Sequence, residues 1–298
     1  MLPNSLLLWG LTLQTMILMT ILFSALAILG LCQGYFFPKN FLPHRSVIIW
    51  SHPRSCSTVL WRCLQNISEK TTGLNEPFLF LKNADEGAIV DIQNTRLKDL
   101  QDLFKNVFRP LSRTYKKIII KEHGYVYGQI RDMNIFKSVT LFPSSYIFLI
   151  RDPTAALYSY LKIQKSNKSS IRTEEISMIG QWRLYKALRG LTSCRVIVVD
   201  ADELLEDPAK ILKQICEKFN LHFSTKLLHW QALDNQLILS DFACWFSVAA
   251  KSTKFDASHV SYSKSKMVFK PLETLSHELL RVLSQNIKIY RKFKKIII

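Results

Sequence analysis

What the chain lacks narrows its chemistry first. It has no Gly-x-x-x-x-Gly-Lys-Ser/Thr string, the loop with which ordinary ATPases and GTPases cradle phosphates, and this argues against a kinase or nucleotide hydrolase. Its six cysteines, at 32, 56, 63, 194, 216 and 244, form no Cys-x-x-Cys pair. None stands at metal-ligand spacing with a histidine, so neither a metal site nor a disulfide framework is expected. Cys56 and Arg62 do have the Cys-x5-Arg spacing of a tyrosine phosphatase loop. The intervening Ser-Thr-Val-Leu-Trp is bulky and helical, where such a loop needs small residues to wrap a phosphate. Carboxylates are scarce: 23 Asp and Glu stand against 40 Lys and Arg, for a net charge of +17. A surface or cleft of that sign attracts anions. Nucleic acid, anionic lipid and a phosphorylated nucleotide all fit the charge, but no recognition-helix, stacking or zinc motif supports nucleic acid.

Charge is also missing from one whole region. Residues Met1 to Pro38 contain no Asp, Glu, Lys, Arg or His. The run from Leu13 to Phe37 is long enough to cross a bilayer as a helix. It lacks the basic start and short apolar core of a cleaved signal peptide, so an uncleaved single-pass anchor is expected, with Tyr35 and the two phenylalanines after it at the interface. The first basic residues, Lys39 and Arg45, follow the span, which by the positive-inside rule places the remaining chain in the cytoplasm. A Golgi-lumenal placement is the competing topology. The two glycosylation sequons begin at Asn66 and Asn167.

The remaining length suits one α/β domain. Continuous apolar runs at 47–50, 117–121, 146–150 and 194–199 alternate with helical spacing, the pattern of a mainly parallel sheet covered on both faces. The expected fold is therefore three-layered α/β, with residues 1–44 as anchor and linker, 45–270 as the α/β domain and 271–298 as a C-terminal helix and basic tail. Thr95 to Phe108 has helical apolar spacing. Asp207-Pro208 opens a further helix, and Asp202, Glu203 and Glu206 read as capping or surface residues. The end of the chain, with Lys288, Arg291, Lys292, Lys294 and Lys295, is suited to anionic lipid.

The most informative stretch is Val47-Ile-Ile-Trp-Ser-His-Pro-Arg-Ser-Cys-Ser-Thr-Val-Leu60: a strand, a turn of small hydroxyl residues, then a helix. Unsatisfied N–H groups and the dipole at a helix start favour an anion. Arg54 adds a full charge with a fork that matches oxyanions, and Ser55, Ser57 and Thr58 add hydroxyl donors. A second stretch, Ile150-Arg-Asp-Pro-Thr-Ala-Ala-Leu-Tyr-Ser-Tyr160, ends a strand at Arg151 and starts a helix at Pro153. Ser159 lies where it can converge with Arg151 on one anion. All these polar positions follow strands, where ligands of parallel sheets bind.

The Pro-Arg-Ser-x-Ser-Thr loop at 53–58 resembles the 5′-phosphosulfate loop of the sulfotransferases, and the resemblance extends over most of residues 45–255. The 199–221 segment resembles the family's segment ahead of its late helix. Trp245 and Ser252-Thr-Lys-Phe255 resemble bacterial and plant sulfotransferase-like proteins, and the loop with Asn75-Glu-Pro-Phe78 fits that branch best. It implies a P-loop-like fold and a sulfotransferase that uses 3′-phosphoadenosine-5′-phosphosulfate as co-substrate, without a metal. The acceptor would be a hydroxyl or amine that the sequence does not identify. Arg54, Ser55, Cys56, Ser57 and Thr58 would hold the phosphosulfate, with Arg54 stabilising the leaving phosphate, and Arg151 and Ser159 would hold the 3′-phosphate. Two residues compete as base: Glu76, near the position of a catalytic Glu in protein-tyrosine sulfotransferases, and His123, in a Lys121-x-His123 pattern similar to that of cytosolic sulfotransferases, where the Lys contacts the sulfate. Cys56 replaces the usual glycine, Val59 stands where cytosolic enzymes have a Trp, and no Arg-Lys-Gly-x-x-Gly element is present, although Lys264, Lys266 and Lys270 offer a substitute.

Overall fold

The computed structural model describes residues 46–77, 106, 109–126, 145–167, 172–191, 194–232, 248–255 and 275–298. Five strands form one sheet: β1 (Val47–Ser51), β2 (Thr71–Asn75), β3 (Lys117–His123), β4 (Ser145–Ile150) and β5 (Arg195–Asp200). Their order is β2-β3-β1-β4-β5, and every pairing is parallel. Successive neighbours thus leave β1 on opposite sides, β3 on one and β4 on the other. The carboxyl end of β1 is a topological switch point, where chain segments diverge and leave a crevice.

The predicted strands at 47–50, 117–121, 146–150 and 194–199 are all present, within a residue or two. Strand β2 was not among them. Its sequence, Thr-Thr-Gly-Leu-Asn, is half-buried throughout and lies at the sheet edge, so it carries none of the continuous apolar signal of the strands covered on both faces.

Alternate strand residues face opposite layers. Val47, Ile49, Ile119, Ile147, Leu149, Ile197 and Val199 pack against α1 (Ser57–Gln65), α5 (Ala201–Glu206) and α6 (Pro208–Phe219), and the short α2 (Arg109–Thr114) precedes β3 in the chain. On the other face Phe148 meets Tyr185 of α4 (Ile179–Leu188) at 5.4 Å and Phe293 of α7 (His277–Lys294) at 6.2 Å. Helix α3 (Pro153–Asn167) joins α7 through Leu157, Tyr160, Leu279 and Leu283. Helices therefore cover both faces. Asp207 caps α6 by accepting from the Lys210 N–H, and Pro208 sits at its start, as the sequence predicts. Among the described residues, no helix is long and apolar enough to cross a membrane. The predicted span at 13–37 and the helix at 95–108 fall outside the described residues, apart from residue 106.

Candidate active site

The loop leaving β1 is built on unusual backbone. Arg54 and Cys56 adopt left-handed φ values of 66° and 62°, each costing a side-chain-bearing residue about 1–2 kcal/mol. The turn is held by the Ser55 hydroxyl, which is buried and donates to the His52 carbonyl at 2.7 Å. Ser55 therefore braces the loop from within, while Ser57 and Thr58 open α1. No side chain caps α1, and no acid occupies its first turn. Its leading N–H groups and positive dipole end are aimed at the crevice.

The second motif converges on this loop. Arg54 Nε donates to Ser159 Oγ at 3.0 Å, and Arg151 Nη1 donates to the Arg54 carbonyl at 3.0 Å. Ser159 reaches the loop from α3, whose start is capped by Asp152 accepting from Thr154 and Ala155. Arg151 is 7% exposed and pairs with Asp202 at 3.3 Å. Asp202 is therefore more than a capping residue. Asp200 makes that cap, through the Asp202 N–H, and Asp202 orients the guanidinium. Burial raises the Asp202 pKa, and the Arg151 charge opposes that rise.

On the opposite side of β1, three predicted residues form one buried cluster. Register pairs Ser51 with His123 and Asn75 with Lys121, bringing the ends of β1, β2 and β3 together. Glu76 follows β2 in a left-handed conformation of φ 51°, held by its N–H donating to the Lys121 carbonyl at 2.7 Å. Lys121 Nζ donates to Glu76 Oε1. His123 Nε2 lies 3.1 Å from that same oxygen and 3.3 Å from Lys121 Nζ. Nδ1 is 3.4 Å from Ser51 Oγ, and Tyr125 stacks on the imidazole at 5.5 Å. Lys121 is 1% exposed and Glu76 3%. Burial alone would raise the Glu76 pKa, but Lys121 and then His123 more than reverse this and hold the carboxyl ionised. Burial, aided by Lys121, lowers His123 and keeps it neutral, against the opposing pull of Glu76.

Beneath both clusters lie residues that sequence reasoning missed. Gln181, fully buried on α4, donates Nε2 to the carbonyls of Trp50 and Leu149, each at 3.0 Å. It thereby sets the spacing of β1 and β4 at the switch point. Gly124 leaves room for it, since a Cβ there would stand 2.5 Å from Gln181 Cβ. His52 is 4% exposed, and burial, then Arg151 and His123, lower its pKa to about 3. Nothing in a lone Gln or His distinguishes such roles before the strands are paired.

The far half of α1 grips a separate segment. Arg62 donates to the carbonyls of Ala249, Ala250, Ser252 and Gln231 and lies over Trp230 at 5.9 Å. Asn66 donates to the His229 carbonyl at 2.8 Å. The Ser252–Phe255 motif is thereby tied to α1, and Phe255 meets Trp230 edge-on at 5.1 Å. Trp245, Lys264, Lys266 and Lys270 lie outside the described residues. Among the described residues, no group of three or more His, Cys, Asp or Glu is placed to hold a metal ion.

A strand–turn–helix unit at a parallel-sheet switch point, faced by two arginines, fits the predicted family, and comparison with known families decides it. The family model described as "Sulfotransferase domain" matches residues 45–265. The chain belongs to the sulfotransferase family. Among solved structures it is similar to the sulfotransferase domain of the Synechococcus PCC 7002 olefin synthase, at 18% identity over 82% of this chain and 95% of that one, with a TM-score of 0.49. The sulfotransferase domain from the curacin biosynthetic pathway is similar at 18% identity over 80% and 96%, with a TM-score of 0.49. A mouse sulfotransferase complexed with PAP is similar at 12% identity over 85% and 89%, with a TM-score of 0.42. Comparison with curated proteins gives no match.

Proposed function

We propose that this sulfotransferase-family chain transfers a sulfuryl group from 3′-phosphoadenosine-5′-phosphosulfate to a hydroxyl or amine of its acceptor. The observation that carries the reading is the convergence of Arg54, Arg151 and Ser159 on the uncapped start of α1, with Glu76, Lys121 and His123 one strand away. The residues fit the nucleotide chemically: the charges are cationic and forked, and the nearby carboxylate, Asp202, is engaged with Arg151. Arg54 and the α1 amides would hold the 5′ end, while Arg151 and Ser159 would hold the 3′-phosphate.

When bound, the nucleotide supplies the sulfuryl group on a phosphate leaving group. The chain's own residues then have three tasks. Arg54 and the amides stabilise the negative charge that grows as the sulfur–oxygen bond to phosphate breaks. The loop holds the transferring group in line with the attacking acceptor atom. His123 donates Nε2–H to the Glu76 carboxylate, so it takes the acceptor proton at Nδ1, and Glu76 stabilises the resulting imidazolium. Neutral His123 is already in the form a base needs. Glu76, held far below the ordinary carboxylate range by Lys121, is a weak proton acceptor and serves as the positioning residue.

Calorimetric titration with adenosine-3′,5′-bisphosphate tests the reading, with adenosine-5′-monophosphate as control. Micromolar binding that depends on the 3′-phosphate and drops at least about tenfold in Arg151→Ala is the expected result. A folded chain that binds neither nucleotide sinks it. Binding without turnover on any acceptor would favour a fold kept for nucleotide or partner binding. The strained Cys56 at the glycine position lends that second reading its support.

The anchor reading also belongs to this proposal. An apolar head lies at 13–37, and Asn66, at the C-cap of α1, uses its side-chain amide on His229, where a glycan would disrupt the contact. A single-pass protein with its catalytic domain in the cytoplasm is the topology these support. Protease added to intact membrane vesicles should digest the domain on the cytoplasmic face. Protection together with glycan addition would place it in the Golgi lumen.

A further inference from the structure

Helices α4 and α7 lie side by side on the sheet, and beyond Glu278 in the first turn of α7 their outward charged side chains are all cationic. Along α7 and its C-cap, Arg281, Lys288, Lys292 and Lys295 recur at spacings of seven, four and three residues, which puts them on a single line, with Arg291 flanking it. All five are exposed, and the line runs about 21 Å at 1.5 Å per residue. Past Glu278 in its first turn, α7 has no carboxylate. Lys294, between them in sequence, turns inward to Asp200 at 3.2 Å and Glu203 at 2.6 Å. The outward lysines and arginines have no such ion pair among the described residues.

Helix α4 extends the same surface. Arg183, Lys186 and Arg189 are exposed, and the helix contains no acid. The two helices are joined by rings: Trp182 meets Phe293 edge-on at 4.9 Å, and Tyr185 meets it at 5.4 Å. Lys292 Nζ rests over Trp182 at 5.6 Å, and Arg189 over Tyr185 at 5.9 Å. Trp182 is half-buried between the cationic rows. Helix α6 is different, for there Lys210 and Lys213 share the exposed face with Glu217.

We propose that the outward face of α4 and α7 is a docking surface for an anionic phospholipid membrane. Rows of cations that carry no acid and surround a half-buried tryptophan match a headgroup plane, where lysine and arginine gain from the negative surface potential and an indole sits at the interface. The charge-free first 38 residues of the same chain include an apolar run long enough to enter a bilayer. The apolar side of α7 is already used by the sheet, so the contact is electrostatic and lies at the surface without insertion of the helix.

The test uses the full chain with nanodiscs of phosphatidylcholine alone or with phosphatidylserine, read by the rate of lysine acetylation. Lys186, Lys288, Lys292 and Lys295 should be labelled several-fold more slowly with phosphatidylserine, and Lys210 and Lys213 should not change. Raising the salt should remove the protection. The triple variant Lys288→Glu, Arg291→Glu, Lys292→Glu should lose the protection at Lys186 while staying folded by circular dichroism. Equal labelling of native α7 with both lipids overturns the proposal. So does protection by a DNA duplex that phosphatidylserine fails to reproduce.

Discussion

At the scale of single residues, the site is a set of pKa values held apart by burial and neighbours. Because His123 lies below its ordinary value of about 6.5, the catalytic rate should fall only when the pH drops below that value, as the base becomes protonated. His123→Gln should lower kcat by about 10²–10⁴-fold, and Glu76→Gln should lower kcat with a smaller effect on nucleotide affinity. A limb that vanishes in Glu76→Gln but survives in His123→Gln would reverse the assignment of base and positioning residue. His52 makes a separate, stability-linked prediction. Its folded-state value of about 3 is below the unfolded one, so the unfolded chain takes up the proton first. Stability from this group is complete above about pH 6.5 and falls toward pH 3 by on the order of 1.4 kcal/mol per pH unit. Glu76, also lowered, acts in the same direction at still lower pH, below the unfolded carboxylate value. Denaturant melts across this range should show a shallower acid slope in His52→Gln than in the native chain.

At the scale of elements, the loop–helix unit β1–α1 was the most legible part of the sequence. Pro-Arg-Ser-x-Ser-Thr announces an anion turn because strand, small residues and helix start are all local. What the string did not disclose is the internal brace made by Ser55 and the left-handed backbone at Cys56. The latter explains why glycine is usual there: only glycine enters that region without a Cβ penalty. Cys56→Gly should therefore relax the turn, raising stability by up to about 1 kcal/mol, offset in part by the entropy of glycine in the unfolded chain, and tightening bisphosphate binding. At the other end of α1, Arg62 satisfies four carbonyls of a segment more than 160 residues away. Arg62→Ala should cost about 3 kcal/mol by stranding those acceptors, measurable as a lower denaturation midpoint.

At the scale of the whole molecule, the C-terminal helix is part of the core. Phe293 is fully buried and is in contact with Phe148, Trp182 and Tyr185, and the Asn286 side chain bonds Met178 N–H and the Ile176 carbonyl. Phe293→Ala should cost about 3–5 kcal/mol. A truncation before residue 277 should fail to fold, since it uncovers one face of the sheet. Circular dichroism melts of both would check this.

The fold class, and most of the residues that the structure gathers at the candidate site, were legible in the sequence. Apolar runs alternating with helical spacing specify a covered parallel sheet by burial alone; Arg54, Glu76 and Arg151 follow strands, and Lys121 and His123 lie among the last residues of one. Tertiary structure decided which of these meet. Strand order put β3 and β4 on either side of β1, bringing Arg151 to Arg54 and gathering Glu76, Lys121 and His123 into a second cluster. It recruited Asp202, Gln181 and Arg62, whose partners lie 51, 131 and 187 residues away. Local patterns record what a residue does to its own backbone and face. Contacts across such distances depend on register and packing, which no single stretch of chain contains.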